Sequence, residues 1–165
     1  MAAHCDSQTD VALNLARAWE FLSGERGMFD VWCEKVPHPD FAEFSVFMPL
    51  AVKAESRTAG VGVLIQREDA TIVASHMFGL PEEAVTEDDL RDACAEVCNV
   101  FSGCISSQVS PVHPVGIGLP KMATSLDFQE ISKGSVLKLT YRFGQQIKEI
   151  SVLVYGVFNT PIAMR

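Results

Sequence analysis

The stretch "DLRDACAEVCNVFSGC", Asp89 to Cys104, reads as one amphipathic helix, and the rest of the chain is organised around it. At about 100° per residue, Leu90, Cys94, Val97, Phe101, Cys104 and Ile105 fall in a stripe roughly 100° wide, which suits a core-facing seam. Asp92, Glu96, Asn99 and Gly103 gather on the opposite side, within about 60° of one another. Two members of that exposed row are poor helix formers. Relative to alanine, a mid-helix Asn loses roughly 0.6 kcal/mol and a Gly about 1 kcal/mol, and core packing explains neither. Gly removes a side chain where another backbone would approach closely. Asn supplies one carbonyl acceptor and two N–H donors on a short arm, suited to orienting a water. A solvated face accounts for the two acids alone, but not for the amide and the glycine beside them.

Upstream of this helix, Thr86 stands as an N-cap with Asp89 three residues on, close to a capping box. The helix is expected to run to about Gln108. A first helix is expected over Asp10 to Gly24, with apolar Val11, Leu15, Ala18, Trp19 and Leu22 at helical spacing and Gly24 as C-cap. Glu43 to Val52 alternates like a half-buried strand. "AGVGVLIQRED" is read as leading through the turn "REDA" into "TIVASHMFG", together a hairpin of Val- and Ile-rich strands. "VSPVHPVGIGLP" is an extended, Pro-interrupted connection with room for one short edge strand. "SVLKLTYRFGQQIKEISVLVYGVF" reads as a hairpin turning at Gly144 to Gln146. Helix, strands, helix, strands, mostly in hairpins, give an α+β fold: one domain over residues 1–165, an antiparallel sheet covered by helices. "EFLSGERG" (Glu20 to Gly27) and "EVCNVFSG" (Glu96 to Gly103) share the spacing E-x-x-polar-x-x-x-G, which suggests pseudo-repeated helix-strand halves.

Composition excludes several classes of function. The net charge of −8 argues against nucleic acid, whose phosphates need clustered Lys and Arg, and would steer a cationic surface toward this one. No apolar run approaches the ~20 residues of a membrane helix. "MAAHCDSQTD" lacks the marks of a signal peptide, so a cytoplasmic location is expected, with Cys5, Cys33, Cys94, Cys98 and Cys104 reduced. An odd cysteine count without a C-x-x-C pair supports neither a disulfide framework nor a zinc site. His4, His38, His76 and His113 are scattered and pair with no nucleophile motif. Gly60 and Gly62 lie inside a strand, a poor place for a phosphate loop.

The row Asp92-x-x-x-Glu96-x-x-Asn99, with Gly103 four residues on, resembles the signature of the CheC/CheX/FliY phosphatases of bacterial chemotaxis. The surroundings are similar as well: strands ending in "HMFGLP", the signature helix, a Pro-containing extended segment and a final hairpin, together roughly Ser45 to Phe158. Length and a single complete signature look most like CheX. The resemblance implies a CheC/CheX-like fold and hydrolysis of the aspartyl-phosphate of a CheY-like response regulator. It implies that Asn99 orients the attacking water and that Glu96 meets a lysine of the regulator, with Asp92 and Gly103 on the partner surface. The Mg²⁺ would belong to the regulator, so the chain would have no metal or cofactor of its own. The alternative from another class is a non-catalytic binding or adaptor module on the same fold. A homodimer is also expected, because the strands at Ser135–Phe143 and Ile147–Phe158 are long and apolar, and an exposed edge of that kind tends to be paired or covered. In the first helix, Ser23 is expected where Asn would be needed, leaving that half without phosphatase activity.

Overall fold

The computed structural model describes residues 3–32, 42–52, 58–109, 115–122, 135–143 and 146–156. Among these, seven strands form one antiparallel sheet: β1 (Met28–Trp32), β2 (Phe44–Val52), β3 (Thr58–Ile65), β4 (Val115–Ile117), β5 (Lys121–Met122), β6 (Ser135–Phe143) and β7 (Gln146–Gly156). Their order is β1-β6-β7-β3-β2-β4, with β5 also paired to β2. Strand β2 turns Phe44, Val46, Met48 and Leu50 to the core at period two, opposite Ile65, Val63, Val61 and Ala59 of β3. Pro49 has no N–H to give a ladder. It sits between the stretches of β2 that pair with β4 and β5, and its carbonyl accepts the Gly118 N–H at 2.9 Å.

Among the described residues, three α-helices complete the fold: α1 (Ala3–Ser23), α2 (Arg67–Phe78) and α3 (Glu87–Val109). Helix α3 lies on β2 and β3, α1 lies on β1, and α2 packs against both helices. One core cluster joins Val11, Leu15, Trp19 and Leu22 of α1 to Leu90, Val97, Phe101 and Ile105 of α3 and to the inward residues of the sheet. The fold is thus mixed helix and antiparallel sheet, as the sequence suggests. It is also built twice. Exchanging α1-β1-β2-β3 with α3-β4-β6-β7 turns the strand order into β4-β2-β3-β7-β6-β1, the same sheet read from its other edge.

The start of α3 is capped as expected. The Thr86 N–H donates to Asp89 Oδ2 at 2.8 Å, and the Asp89 N–H returns a bond to Thr86 Oγ1 at 3.2 Å. Arg67, the first residue of α2, pairs with Glu43 before β2 and with Glu87 at the start of α3, and stacks over Phe44. One guanidinium therefore ties three elements together at this corner.

Three expectations are corrected. "TIVASHMFG" is not the second strand of a hairpin but most of α2. Asp69, Ala70, Val73 and Ala74 are its buried residues, a helical stripe, and Gly79 ends it in the left-handed region at φ 64°. The β-branched run Thr71–Val73 favours a strand locally, and packing against α1 and α3 overrides it. Strands β6 and β7 are interior, flanked by β1 and β3, so neither is an edge needing cover. The expectation of a homodimer loses that reason. The first helix also begins earlier than Asp10. The turn at Gly144 and Gln145, Val157 and Phe158 after β7, Cys33, His38 and His113 lie outside the described residues.

The capping box predicts a pH-dependent stability. The Thr86 N–H, and after it the Thr86 hydroxyl, hold the Asp89 carboxyl below its ordinary value of 3.8. A depressed folded value means that the stabilisation is full above the ordinary value and is lost as pH falls through the folded one. Thermal melts should show Asp89→Asn less stable than wild type at pH 7, with the gap closing in acid below the carboxylate range. Thr86→Ala should cost about 1 kcal/mol at neutral pH.

Candidate functional site

Helix α3 divides as its periodicity requires. Leu90, Ala93, Cys94, Val97, Cys98, Phe101 and Ile105 are buried, and Cys104 is half-buried beside them. Asp92, Glu96 and Asn99 are exposed, and Gly103 is half-exposed on the same row. Among the described residues, the Asn99 carboxamide and the Asp92 and Glu96 carboxylates have no hydrogen-bond or ion-pair partner. An uncommitted amide is free to hold a water and a guest at once. A Cβ built on Gly103 would meet nothing within 4 Å, so no contact among the described residues requires glycine there.

The three cysteines of α3 are unsuited to nucleophilic chemistry. Burial pushes the Cys94 and Cys98 thiols up to about 12, and raises Cys104 as well, so they stay protonated and poorly nucleophilic. Among the described residues no group of three His, Cys, Asp or Glu side chains converges to hold a metal. No described helix is long and apolar enough to cross a membrane.

The internal echo is real, but its register differs from the one the polar letters suggest. Superposing buried positions sets Val11, Leu15, Trp19, Leu22 and Ser23 of α1 on Leu90, Cys94, Cys98, Phe101 and Ser102 of α3. Ser23 and Ser102 then make the same bond, each hydroxyl donating to the carbonyl one turn back at 2.6 Å. The matching segments are "ARAWEFLSG" (Ala16–Gly24) and "AEVCNVFSG" (Ala95–Gly103). Glu20 therefore corresponds to Asn99 and Arg17 to Glu96. Contrary to expectation, Ser23 does not stand where Asn would be needed. Matching Glu20 to Glu96 would place Gly27 against Gly103, but Gly27 lies beyond the end of α1. The shared "Ala…Ser-Gly" letters carry the correct register. Glu20 is also engaged, its carboxylate accepting from Arg26 at 3.1 Å.

Solved structures share this arrangement of helices and sheet. CheX from Desulfovibrio desulfuricans superposes with a TM-score of 0.66 at 13% identity, over 92% of this chain and 99% of that one. The fold is that of the CheX and CheC-like proteins. The CheX–CheY–BeF3–Mg²⁺ complex from Borrelia burgdorferi gives 0.65 at 16% identity, over 92% and 98%. A CheC-like superfamily protein from Shewanella gives 0.63 at 11%, over 93% and 99%. No protein-family model and no curated protein sequence matches the chain.

The open space at Gly103 makes a prediction about stability alone. Gly103→Ala should raise the melting midpoint by about 2–4 °C, the shift expected from roughly 1 kcal/mol of helix propensity in a domain of this size. A calorimetric scan checks it.

Proposed function

We propose that the protein hydrolyses the aspartyl-phosphate of a CheY-like response regulator, with α3 docked over the phosphorylated site. The observation that carries this reading is the uncommitted, outward carboxamide of Asn99, one turn from Glu96, on a helix whose other face is fully seated in the core. A CheX neighbour with CheY and BeF3, a stand-in for the phosphoryl group, supports the choice of partner.

The chemistry asks little of this chain beyond placement. The carboxylate leaving an acyl phosphate is already a good leaving group, so catalysis rests on putting a water in line with phosphorus. Asn99 orients that water while remaining uncharged beside a phosphoryl dianion, which a carboxylate would repel. Glu96 pairs with a lysine of the regulator, contributing register and on-rate more than net affinity. Asp92 extends the same acidic surface. Gly103 lets the partner backbone approach. The Mg²⁺ comes with the regulator.

Release of phosphate from a phosphorylated regulator tests the assignment. Asn99→Ala should lower kcat by roughly 10²-fold or more, the scale of losing one placed polar group. Glu96→Ala should act mainly on kcat/KM and weaken its dependence on salt. Gly103→Ala, although more stable, should raise KM for the regulator. Equal rates for wild type, Asn99→Ala and Glu96→Ala would refute the roles. A regulator that binds but keeps its phosphorylation half-life would identify a binding module instead.

A further inference from the structure

Cys98, the residue before Asn99, is held at both its side chain and its carbonyl. On one side the buried Cys98 thiol lies 3.8 Å from the carbonyl oxygens of Val46 in β2 and of Val61 in β3, donating to one of them at a time. Burial keeps the proton on that sulfur, so it remains a donor. On the other side the Cys98 carbonyl, already the acceptor of the helix ladder, takes a second bond from the buried Ser102 hydroxyl at 2.6 Å. A peptide unit is planar, so the direction of that carbonyl also sets the Asn99 N–H and Cα. The side chain that leaves α3 toward solvent starts from that atom.

Helix stability does not explain the serine. A hydroxyl donating to the carbonyl one turn back competes with the helix and tends to bend it. Replacing Ser102 by Ala strands no acceptor, because the Cys98 carbonyl keeps its ladder bond. In α1 the matching Ser23 has a second task, accepting the Glu25 N–H at 3.0 Å as the helix closes. Helix α3 runs on to Val109, so Ser102 has no end to close.

We propose that Ser102 is a positioning residue for Asn99, setting through the Cys98 carbonyl the direction in which the carboxamide leaves α3. This rests on the reading of Asn99 as the residue that orients water. The experiment measures kcat and KM for phosphate release from a phosphorylated CheY-like regulator, together with melting midpoints, for wild type, Asn99→Ala, Ser102→Ala and Ser23→Ala. Ser102→Ala should lower kcat about tenfold, since small misplacements of a catalytic group are felt strongly. Its KM should stay within about twofold, as for an interaction that matters only in the transition state. Its midpoint should hold or rise. Ser23→Ala should lower the midpoint and leave kcat unchanged. An unchanged kcat in Ser102→Ala beside an impaired Asn99→Ala overturns this inference and leaves the reading of Asn99 standing. A kcat loss that tracks a falling midpoint marks a purely structural serine and also overturns it. A rate independent of Asn99 removes both.

Discussion

Burial of Phe101 is the constraint on which the orientation of the site depends. Its ring lies 6.5 Å from Trp19 of α1 and meets Phe29 of β1 edge-on at 5.8 Å. Tyr141 of β6 closes the group at 5.4 Å from Trp19 and 5.2 Å from Phe29. Four rings from four elements leave α3 little freedom to roll. Residues two apart on a helix are separated by about 200°, so seating Phe101 inward aims Asn99 outward. The magnitudes settle which effect governs. Truncating a buried Phe costs about 3–5 kcal/mol, several times the propensity lost at Asn99 or Gly103. The core can therefore hold two poor helix formers in a regular helix and keep them exposed.

The two halves of the fold place their helices alike and equip them differently. Where α3 carries Asp92, Glu96 and Asn99, α1 carries Leu13, Arg17 and Glu20. Under the proposed function, the changes at Arg17 and Glu20 work against hydrolysis on α1. A carboxylate at the position of the amide would repel a phosphoryl group, and Arg17 would repel the lysine that Glu96 attracts. Glu20 is moreover held by Arg26. Of the two matched rows, the one on α3 sets a neutral amide beside two acids. A surface whose exposed side chains include Glu82, Glu83, Asp88, Asp92 and Glu96 draws a cationic rim toward it. Placing an uncharged amide where phosphorus would arrive under this proposal avoids repelling the anion at the centre of that rim.

Legibility in the sequence depends on whether a signal is local. Helix α3 can be read because an unbroken period of 3.6 and a capping box agree with one another. The hairpin of β6 and β7 can be read from simple alternation. Helix α2 cannot, because its favourable term is burial between two other helices, which a run of β-branched residues at Thr71–Val73 does not announce. The edges of the sheet are illegible for a similar reason. Pairing β6 with β1 and β7 with β3 is non-local, and a hairpin pattern is silent on its outer neighbours. The candidate row is readable as four letters on one face. Its counterpart on α1 falls out of register when polar letters are matched instead of buried ones.

The paired "Ser-Gly" shows how the two halves come to differ in shape. At Ser23-Gly24 the chain leaves the helix: Gly24 takes φ 76°, and the His76 Nδ1–H donates to the Leu22 carbonyl at 3.0 Å, covering an acceptor the ladder no longer satisfies. At Ser102-Gly103 the same two residue types stay helical. The residues immediately downstream make the difference. After Gly103 comes Ile105, fully buried in the core, so another turn of helix brings apolar surface out of water. After Gly24 come the charged Glu25 and Arg26, which offer no apolar side chain comparable to Ile105, and then Gly27. A Cβ at Gly27 would collide with the Tyr141 ring and its hydroxyl, so the chain passes that ring only as glycine. Helix α1 thus stops at the point corresponding to Gly103, while α3 carries the turn of Asn99 deep inside a continuous helix. Away from fraying ends, that turn keeps a fixed direction, which the proposed placement of a single water requires.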